Sequence, residues 1–380
     1  MRTSGLMLLL VGLTGLAGCN PNVTPAPLVV GHVADLSRPD KAGDQAELGI
    51  RLALHDVKGA ALTEALNNRS IQVRHTNTQG DINAYESEAV RLETINRSIA
   101  ILGGYSSKEV MALDHVKVPI LTFHGQPVSG ASNQVFYLGM APAKQGEVLA
   151  KAIAEKVKIN KVVLVFDERR AESAPLVDAF HKTFHEARKD QKLDSGGILT
   201  VRFGKDADWS ELMGRTRTPE PQAVLFAGSV NDFNAFHKAF RREFFQNEPT
   251  LIYAGNDGEQ RLFDQVAEGK AAVLYATAFY ADPASDKILA FIKAYHDAFD
   301  KDADVNAALA YDGFRMLVEA FKGTANQLTP DKVREELLRT KDFPGLTGPM
   351  TVTPERQVRR PLHVMRWENG AVMHVKTFAP

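Results

Sequence analysis

Cysteine is almost missing from this chain of 380 residues, which contains only one, Cys19. No disulfide can therefore form within the chain. An excess of charge is missing too, because 45 basic residues balance 46 acidic ones and no basic block occurs. This balance argues against a nucleic acid as partner. Phosphate-loop and G-x-S-x-G signatures are also absent, so we expect neither enzymatic activity nor a cofactor.

The longest hydrophobic run lies near the start, and it resembles an export signal. Arg2 precedes the run at residues 6–16, which is too short to span a bilayer comfortably at about 20 residues. The run leads into "LAGC", which ends at Cys19 and resembles the bacterial lipobox, where the thiol is linked to diacylglycerol and the peptide is cut before it. We expect a signal peptide at 1–18 and a lipid-anchored linker at 19–27. An ordinary signal peptide with a chance cysteine is the alternative.

Such an anchor would hold the protein in the cell envelope, as a lipoprotein facing the periplasm or the exterior. Two or three acyl chains anchor a protein stably, whereas one chain binds only marginally. Asn20 follows the cysteine and favours the outer surface, but inner and outer leaflets both stay open. Contact with the membrane is expected through this anchor only, since no second apolar run reaches spanning length.

Short β-branched runs alternate along the chain with stretches of helical spacing, in two successive sets. The alternation predicts an α/β fold with two doubly wound parallel-sheet lobes, each with a carboxyl-edge crevice where ligands tend to bind. The predicted strands are residues 28–33, 71–75, 99–102, 120–123, 161–166, 199–203, 223–227, 251–254 and 273–279, with short strands again within 350–375. The predicted helices are 43–58, 87–96, 108–115, 144–157, 175–188, 287–299, 305–321 and 330–338.

Eight segments carry a resemblance to a known family. "DLSRP…AGDQAELGIRLALHDV" is similar to the first strand, loop and helix of the leucine/isoleucine/valine-binding proteins of ABC transporters. "ILGGYSS", "VPILTFHG", "KVVLVFDERRAES" and "IYAGNDG" are among those that follow in the family's order, and the similarity covers residues 28–375. It implies the type I periplasmic binding protein fold, in which a three-strand hinge joins two lobes around the ligand. Lobe 1 would comprise 28–140 plus 280–344, and lobe 2 would comprise 141–279 plus 345–380.

The resemblance also implies ligand-binding residues. In the family a serine hydroxyl and backbone amides hold the ligand's carboxylate, and Ser106 or Ser107 matches that loop. The loop opens a helix, whose N-terminal N–H groups favour anions. A helix-capping serine is the alternative, and both roles can coexist. Asp257 matches the acidic residue that pairs with the ligand's ammonium, whereas its alternative role is a loop cap. Gly125 and Gln126 lie in the next loop of the site.

Departures from the family pattern change the expected cleft. Residues that form aromatic walls in the family are small here, and new arginines lie near the cleft mouth. We therefore expect a roomier, more cationic cleft, whose ligand carries an amine or amide and is larger or more anionic than leucine. The small residues are Ala42, Ala171 and Ser229, and the arginines are Arg38, Arg169 and Arg170. The predicted ligand-binding set is Ser37, Arg38, Ser106, Ser107, Gly125, Gln126, Arg170, Ser229 and Asp257.

A pair of histidines, His181 and His185, lies one helical turn apart and could bind a metal together. No third ligand is near in the sequence, and such pairs are more typical of a solvated helix face. We therefore predict no metal site.

The function that these observations imply is capture of a small polar ligand, amino acid-like, an amide or a related compound, by a lipid-anchored solute-binding protein of an ABC importer. The expected protein partner is the importer's permease complex. The alternative is a non-transport envelope lipoprotein that uses the same lobes as a sensor or a protein-interaction scaffold.

Overall fold

The computed structural model describes residues 25–37, 41–156, 159–190, 197–244, 248–255 and 272–380. Three residues with predicted roles, Cys19, Arg38 and Asp257, lie outside these ranges. Within them, no helix combines the length and the apolar character that a membrane span requires.

The first sheet contains five parallel strands in the order β2-β1-β3-β4-β5. Alternate strand residues face opposite layers: Val30 and Leu102 pack in the core that includes α1, whereas Val33 and Ile101 pack in the core that includes α3 and α4. The strands are β1 (Leu28–Ala34), β2 (Ile71–Asn77), β3 (Ser98–Gly103), β4 (Ile120–Thr122) and β5 (Val135–Tyr137). The helices are α1 (Ala42–Val57), α2 (Ala60–Ala65), α3 (Ile82–Thr94) and α4 (Ser107–Ala112).

The second sheet contains seven strands in the order β15-β14-β10-β9-β8-β6-β7. The five strands from β6 to β10 are parallel, and the final hairpin, β14 and β15, is added antiparallel at the β10 edge. The elements are α5 (Pro142–Lys156), β6 (Lys161–Asp167), α6 (Ser173–Asp190), β7 (Gly197–Phe203), α7 (Trp209–Arg217), β8 (Ala223–Ala227), α8 (Val230–Glu243), β9 (Thr250–Ala254), β10 (Val273–Thr277), β14 (Leu362–Glu368) and β15 (Ala371–Phe378).

Three later helices belong to the first lobe, and one of them, α10 (Val305–Gly323), packs along α1. Gly49 permits this close crossing, because a Cβ there would overlap the carbonyl oxygen of Ala307. Glycine is needed at position 43 for a similar reason. A Cβ there would lie 2.6 Å from the carbonyl oxygen of Asp35, next to the end of β1. The helices are α9 (Asp286–Phe299), α10 (Val305–Gly323) and α11 (Pro330–Leu338), with a short 3-10 helix at Ala325–Gln327.

A small antiparallel sheet, β11 (Phe343–Gly345), β12 (Gly348–Val352) and β13 (Val358–Arg359), precedes the last hairpin. Its first turn is bound by buried Asp312 of α10, which accepts hydrogen bonds from the backbone N–H groups of Leu346 (2.7 Å) and Thr347 (2.8 Å). Gln357 bridges to Tyr137 in the first sheet. These contacts attach the small sheet to α10 and to the first sheet, and the predicted lobe boundary at 344 stays a prediction.

The α/β fold with parallel sheets in two lobes confirms the sequence prediction. Most predicted strands match to within a few residues, and a turn at residues 368–370 joins β14 to β15 through positive φ angles at Asn369 (53°) and Gly370 (79°). The helix predicted at 87–96 begins earlier, because the Asp81 side chain caps α3 by accepting from the N–H of Asn83. The short elements β5, α2 and β11 and the longer helices α7 and α8 were not predicted.

Candidate ligand-binding cleft

Loops at the carboxyl ends of the parallel strands of both sheets form the candidate site. In open α/β sheets this edge is where ligands bind. His124, directly after β4 in the first lobe, lies within electrostatic reach of Glu172 and Arg170, which follow β6 in the second lobe. Charged and polar groups from the two lobes therefore lie within electrostatic range of one another here.

Ser106, in the loop between β3 and α4, serves as the N-cap of α4. Its hydroxyl accepts from the N–H of Glu109 (3.4 Å) and donates to the Glu109 carboxylate (3.1 Å), which also accepts from the N–H of Tyr105 (2.8 Å). This reciprocal arrangement is a capping box. The alternative role of Ser106, capping, is thus present in the structure, and a carboxylate already occupies the first turn of this helix.

Ser107 contacts His124, the residue through which this edge is linked electrostatically to the other lobe. Its hydroxyl lies 3.3 Å from Nε2 of His124, whose backbone N–H donates to the carbonyl of Gly104 and the hydroxyl of Thr122, each at 3.1 Å. Burial lowers the pKa of His124 below its ordinary value, while the Glu172 charge opposes this shift and Arg170 adds to it. A neutral imidazole here can both donate and accept a hydrogen bond.

Sequence reasoning named the neighbours of His124 and missed His124 itself. The available signal was its place, directly after a predicted strand that ends at the carboxyl edge. An aromatic surface was missed as well: the rings of Tyr105 and Phe123 stack at 4.8 Å with an interplanar angle of 16°. Phe123 is buried and Tyr105 is partly buried against the same core, so only part of the Tyr105 ring offers an apolar surface in the loop before Ser107.

At the second-lobe edge, Arg169 and Ser229 belong to one polar network. Arg169 makes two hydrogen bonds of 2.7 Å to the buried carboxylate of Asp167 and lies 3.4 Å from Asp232. Asp232 in turn accepts from the hydroxyl of Ser229 (2.7 Å), which caps α8. The network ties the end of β6 to the start of α8, and the predicted ligand contact of Ser229 stays a prediction.

Arg170 is placed differently. Its side chain is half-buried, with its guanidinium 4.0 Å from the Glu172 carboxylate, and it lines a small cavity with Gln145, Gly228 and Gly255 at the ends of β8 and β9. The Gln145 amide donates to the carbonyl of Gly255 (3.1 Å) and closes one side of that cavity. Of the predicted residues, Ser107 contacts His124, and Arg170 lies within electrostatic range of the same histidine.

The other predicted residues are dispersed. Ser37 is exposed, and its hydroxyl donates to the Asp35 carboxylate at 2.5 Å. Gln126 is half-buried in its loop. Gly125 lines a separate cavity of about 630 Å³ between α5, α6 and β13. Arg38 and Asp257, outside the described residues, stay predictions.

The separate cavity, here called the rear cavity, is predominantly cationic. Its lining includes five basic residues and two acidic ones: Lys144, Lys151, Lys182, Arg359 and Arg360, and Glu147 and Glu186. Arg360 is 4% exposed, and burial lowers its pKa to about 10, while the Asp312 charge opposes the shift. Its Nη1 donates to the hydroxyl of Thr347 (2.8 Å).

Among the described residues, one group of side chains could hold a metal ion: His32, His75 and Glu47, whose ligand atoms lie within 4.8 Å of one another. The predicted solvated pair, His181 and His185, is exposed on α6 with ring centroids 6.5 Å apart.

A family model described as periplasmic binding protein matches residues 27–371, so the chain belongs to this family. The fold is similar to a leucine binding protein, LivK, from Thermotoga maritima, at 20% identity and a TM-score of 0.78 over 93% of this chain and 99% of that one. The fold is also similar to an R. palustris solute binding protein in complex with 4-hydroxybenzoate, at 16% identity and a TM-score of 0.79 over 93% of this chain and 97% of that one. The fold is similar as well to LivJ from Streptococcus pneumoniae in complex with isoleucine, at 18% identity and a TM-score of 0.76 over 93% of this chain and 100% of that one. A search of curated proteins finds no match.

Proposed function

We propose that this chain is a lipid-anchored solute-binding protein of an ABC importer, which captures a small polar ligand between its two lobes and delivers it to a permease complex. The observation that supports the proposal best is that Arg170 and Glu172, at the carboxyl edge of the second sheet, lie within electrostatic range of His124 at the carboxyl edge of the first. A ligand that contacts both lobes favours the closed arrangement, because those contacts exist only when the lobes approach.

The ligand class that fits the cleft is a small carboxylate with an apolar body. Arg170 offers a planar donor for a carboxylate, Ser107 a hydroxyl, and the partly buried Tyr105 ring an apolar surface. Isoleucine and 4-hydroxybenzoate, the ligands of two similar structures, are both carboxylates, and the similarity does not choose between an amino acid and an aromatic acid.

A thermal-shift panel with the purified protein tests the proposal. It should contain branched-chain amino acids, larger or more anionic amino acids, amides and hydroxybenzoates. A ligand at about 100 times its dissociation constant stabilises the folded protein by about 2.7 kcal/mol. At least one small carboxylate should give such a shift, with one site per chain by calorimetry. If no member of the panel shifts the midpoint, the proposed ligand class is wrong.

Asp257→Ala separates the two kinds of carboxylate. If Asp257 pairs with the ammonium of a bound amino acid, as the family resemblance implies, its removal should cost about 2–5 kcal/mol of binding free energy. A hydroxybenzoate has no ammonium, so its affinity should be unchanged in the same variant. Unchanged amino acid affinity would show that Asp257 is a loop cap.

Anchoring is tested at Cys19. Cells that express Cys19→Ala should incorporate no radioactive fatty acid into the protein, which should then be unprocessed or released from the membrane. Cys19→Ser is a conservative companion with the same expected loss of label. Equal labelling of wild type and variants would contradict the lipobox assignment.

A further inference from the structure

Two histidines meet on neighbouring strands of the first sheet. His32 of β1 and His75 of β2 are partners in the parallel register, so their side chains leave the same face of the sheet. Their Nδ1 atoms are 3.1 Å apart and their rings are nearly perpendicular, at 78°. Glu47 of α1 completes the cluster, with all three ligand atoms within 4.8 Å of one another.

We propose that His32, His75 and Glu47 bind a divalent transition metal ion, with zinc as the best match to the ligand set. Two imidazole nitrogens and one carboxylate leave a fourth tetrahedral position for water or a solute. With metal–ligand bonds of about 2.0–2.1 Å, neighbouring ligand atoms of a tetrahedral site are about 3.3–3.4 Å apart. The two histidine nitrogens already have nearly this separation, and Glu47 has to approach by no more than about 1.5 Å.

Both histidines have the protonation state that a metal requires. His32 is 0% exposed, and burial, with a smaller effect of His75, lowers its pKa well below the ordinary value. Burial, followed by the Arg51 charge, lowers the pKa of His75 to about 4. Neutral imidazole, which both residues therefore present at neutral pH, is the form that ligates metals.

Surrounding groups orient the ligands as the outer shell of a metal site does. Nε2 of His32 lies 3.4 Å from the hydroxyl of Tyr105, and a proton on Nε2 leaves Nδ1 available for the metal. Glu47 forms a 2.5 Å ion pair with Arg51 through Oε1, so its second oxygen can face the metal. Arg51 is about half exposed, which weakens its repulsion of the cation.

Zinc titration of the purified, untagged full chain tests the proposal after treatment with a chelator. Equilibrium dialysis should give one tightly bound zinc per chain, and the midpoint of thermal unfolding should rise with zinc. His75→Gln should weaken this binding at least about 100-fold, and Glu47→Gln about 10–100-fold. The control is His181→Gln combined with His185→Gln, which removes the exposed histidine pair and should leave the tight zinc in place.

Cobalt provides a test that needs no variant. The wild-type protein with one equivalent of Co²⁺ should show the intense visible absorption of a tetrahedral site, and one equivalent of zinc should abolish it. If the wild type binds no stoichiometric zinc, the histidines form only a hydrogen bond to each other and the proposal is wrong. Loss of the tight zinc in the His181/His185 control would also overturn it, because the site would then lie on α6.

Discussion

The two lobes cover similar parallel sheets with different side chains. In the second lobe, one face of the sheet is packed with rings around Phe226, whose centroid lies 4.7 Å from that of Phe236, 5.3 Å from Phe203 and 5.6 Å from Phe233. The corresponding face of the first sheet is packed mainly with aliphatic residues such as Val33 and Ile101. Large rings bury more area per residue, so each ring on the second-lobe face contributes more to packing than an aliphatic residue on the first.

The polar residues at the carboxyl edges of the two sheets also differ, in the number and length of the hydrogen bonds that hold them. In the second lobe, Arg169, Asp167 and Asp232 form a network that fixes two elements to each other. In the first lobe, the Ser107–His124 contact is a single long hydrogen bond of 3.3 Å beside an aromatic stack. The difference indicates that the second-lobe edge is preorganised, whereas the first-lobe edge is left to adjust to a ligand.

Truncation of the ring cluster should have the largest effect on stability. Phe226→Ala leaves a cavity at the centre of the second-lobe core and should lower the free energy of unfolding by about 3–5 kcal/mol. Ile101→Ala, equally buried in the first lobe, is the matched variant and should cost about 2–5 kcal/mol. Urea denaturation measures both. A Phe226→Ala cost well below that of Ile101→Ala would show that the rings are not the critical packing of the second lobe.

Acid should weaken the second lobe through His237. Burial, followed by the Arg241 charge, lowers the pKa of His237 to about 4, and its Nε2 has no hydrogen-bond partner among the described residues. The unfolded chain takes up this proton near pH 6.5 and the folded protein only near pH 4. The stability that His237 contributes is therefore present above pH 6.5 and lost as pH falls from 6.5 to 4, by up to about 3 kcal/mol.

His237→Gln removes this titration and tests the prediction. The difference in unfolding free energy between wild type and variant should change between pH 7 and pH 4 in favour of the variant, measured by urea denaturation at each pH. His55→Gln, at an exposed histidine of the first lobe, is the control for the substitution itself. A constant difference between wild type and His237→Gln would mean that the folded protein protonates this residue readily.

Substitutions at the two edges should have smaller and unequal effects. Arg169→Ala leaves the buried carboxylate of Asp167 without its two guanidinium hydrogen bonds and should cost about 1–3 kcal/mol of stability. Ser107→Ala should cost no more than about 1 kcal/mol, because its hydrogen bond to His124 is long. Thermal unfolding compares the two. Equal costs would remove the distinction between a preorganised edge and an adjustable one.

The sequence predicted elements more readily than contacts. The strand at residues 28–33 and the helix at 43–58 were visible because apolar periodicity records which face is buried, and that face is a local property. The short strand β5 has only three residues and carries too little pattern to detect. Its place is fixed by pairing with β4, which lies outside its own sequence.

The site was predicted less completely, for the same reason. The pairing of His32 with His75 depends on the register of two parallel strands, and nothing within either strand specifies that register. Ser106 and Ser107 are adjacent in the chain, yet one caps α4 and the other faces His124, a choice made by the geometry of the helix start. His124 itself is a single residue of an ordinary loop, and only the approach of the second lobe makes it part of a site.

The most direct test compares the cleft with the rear cavity. Calorimetric titration should use the carboxylate that gives the largest thermal shift, with Arg170→Ala in the cleft and Lys182→Ala in the rear cavity. We expect Arg170→Ala to weaken binding at least about tenfold, which is about 1.4 kcal/mol, and Lys182→Ala to leave it unchanged. Unchanged affinity in Arg170→Ala together with lost affinity in Lys182→Ala would contradict the account, because the ligand would then bind in the rear cavity and not in the cleft.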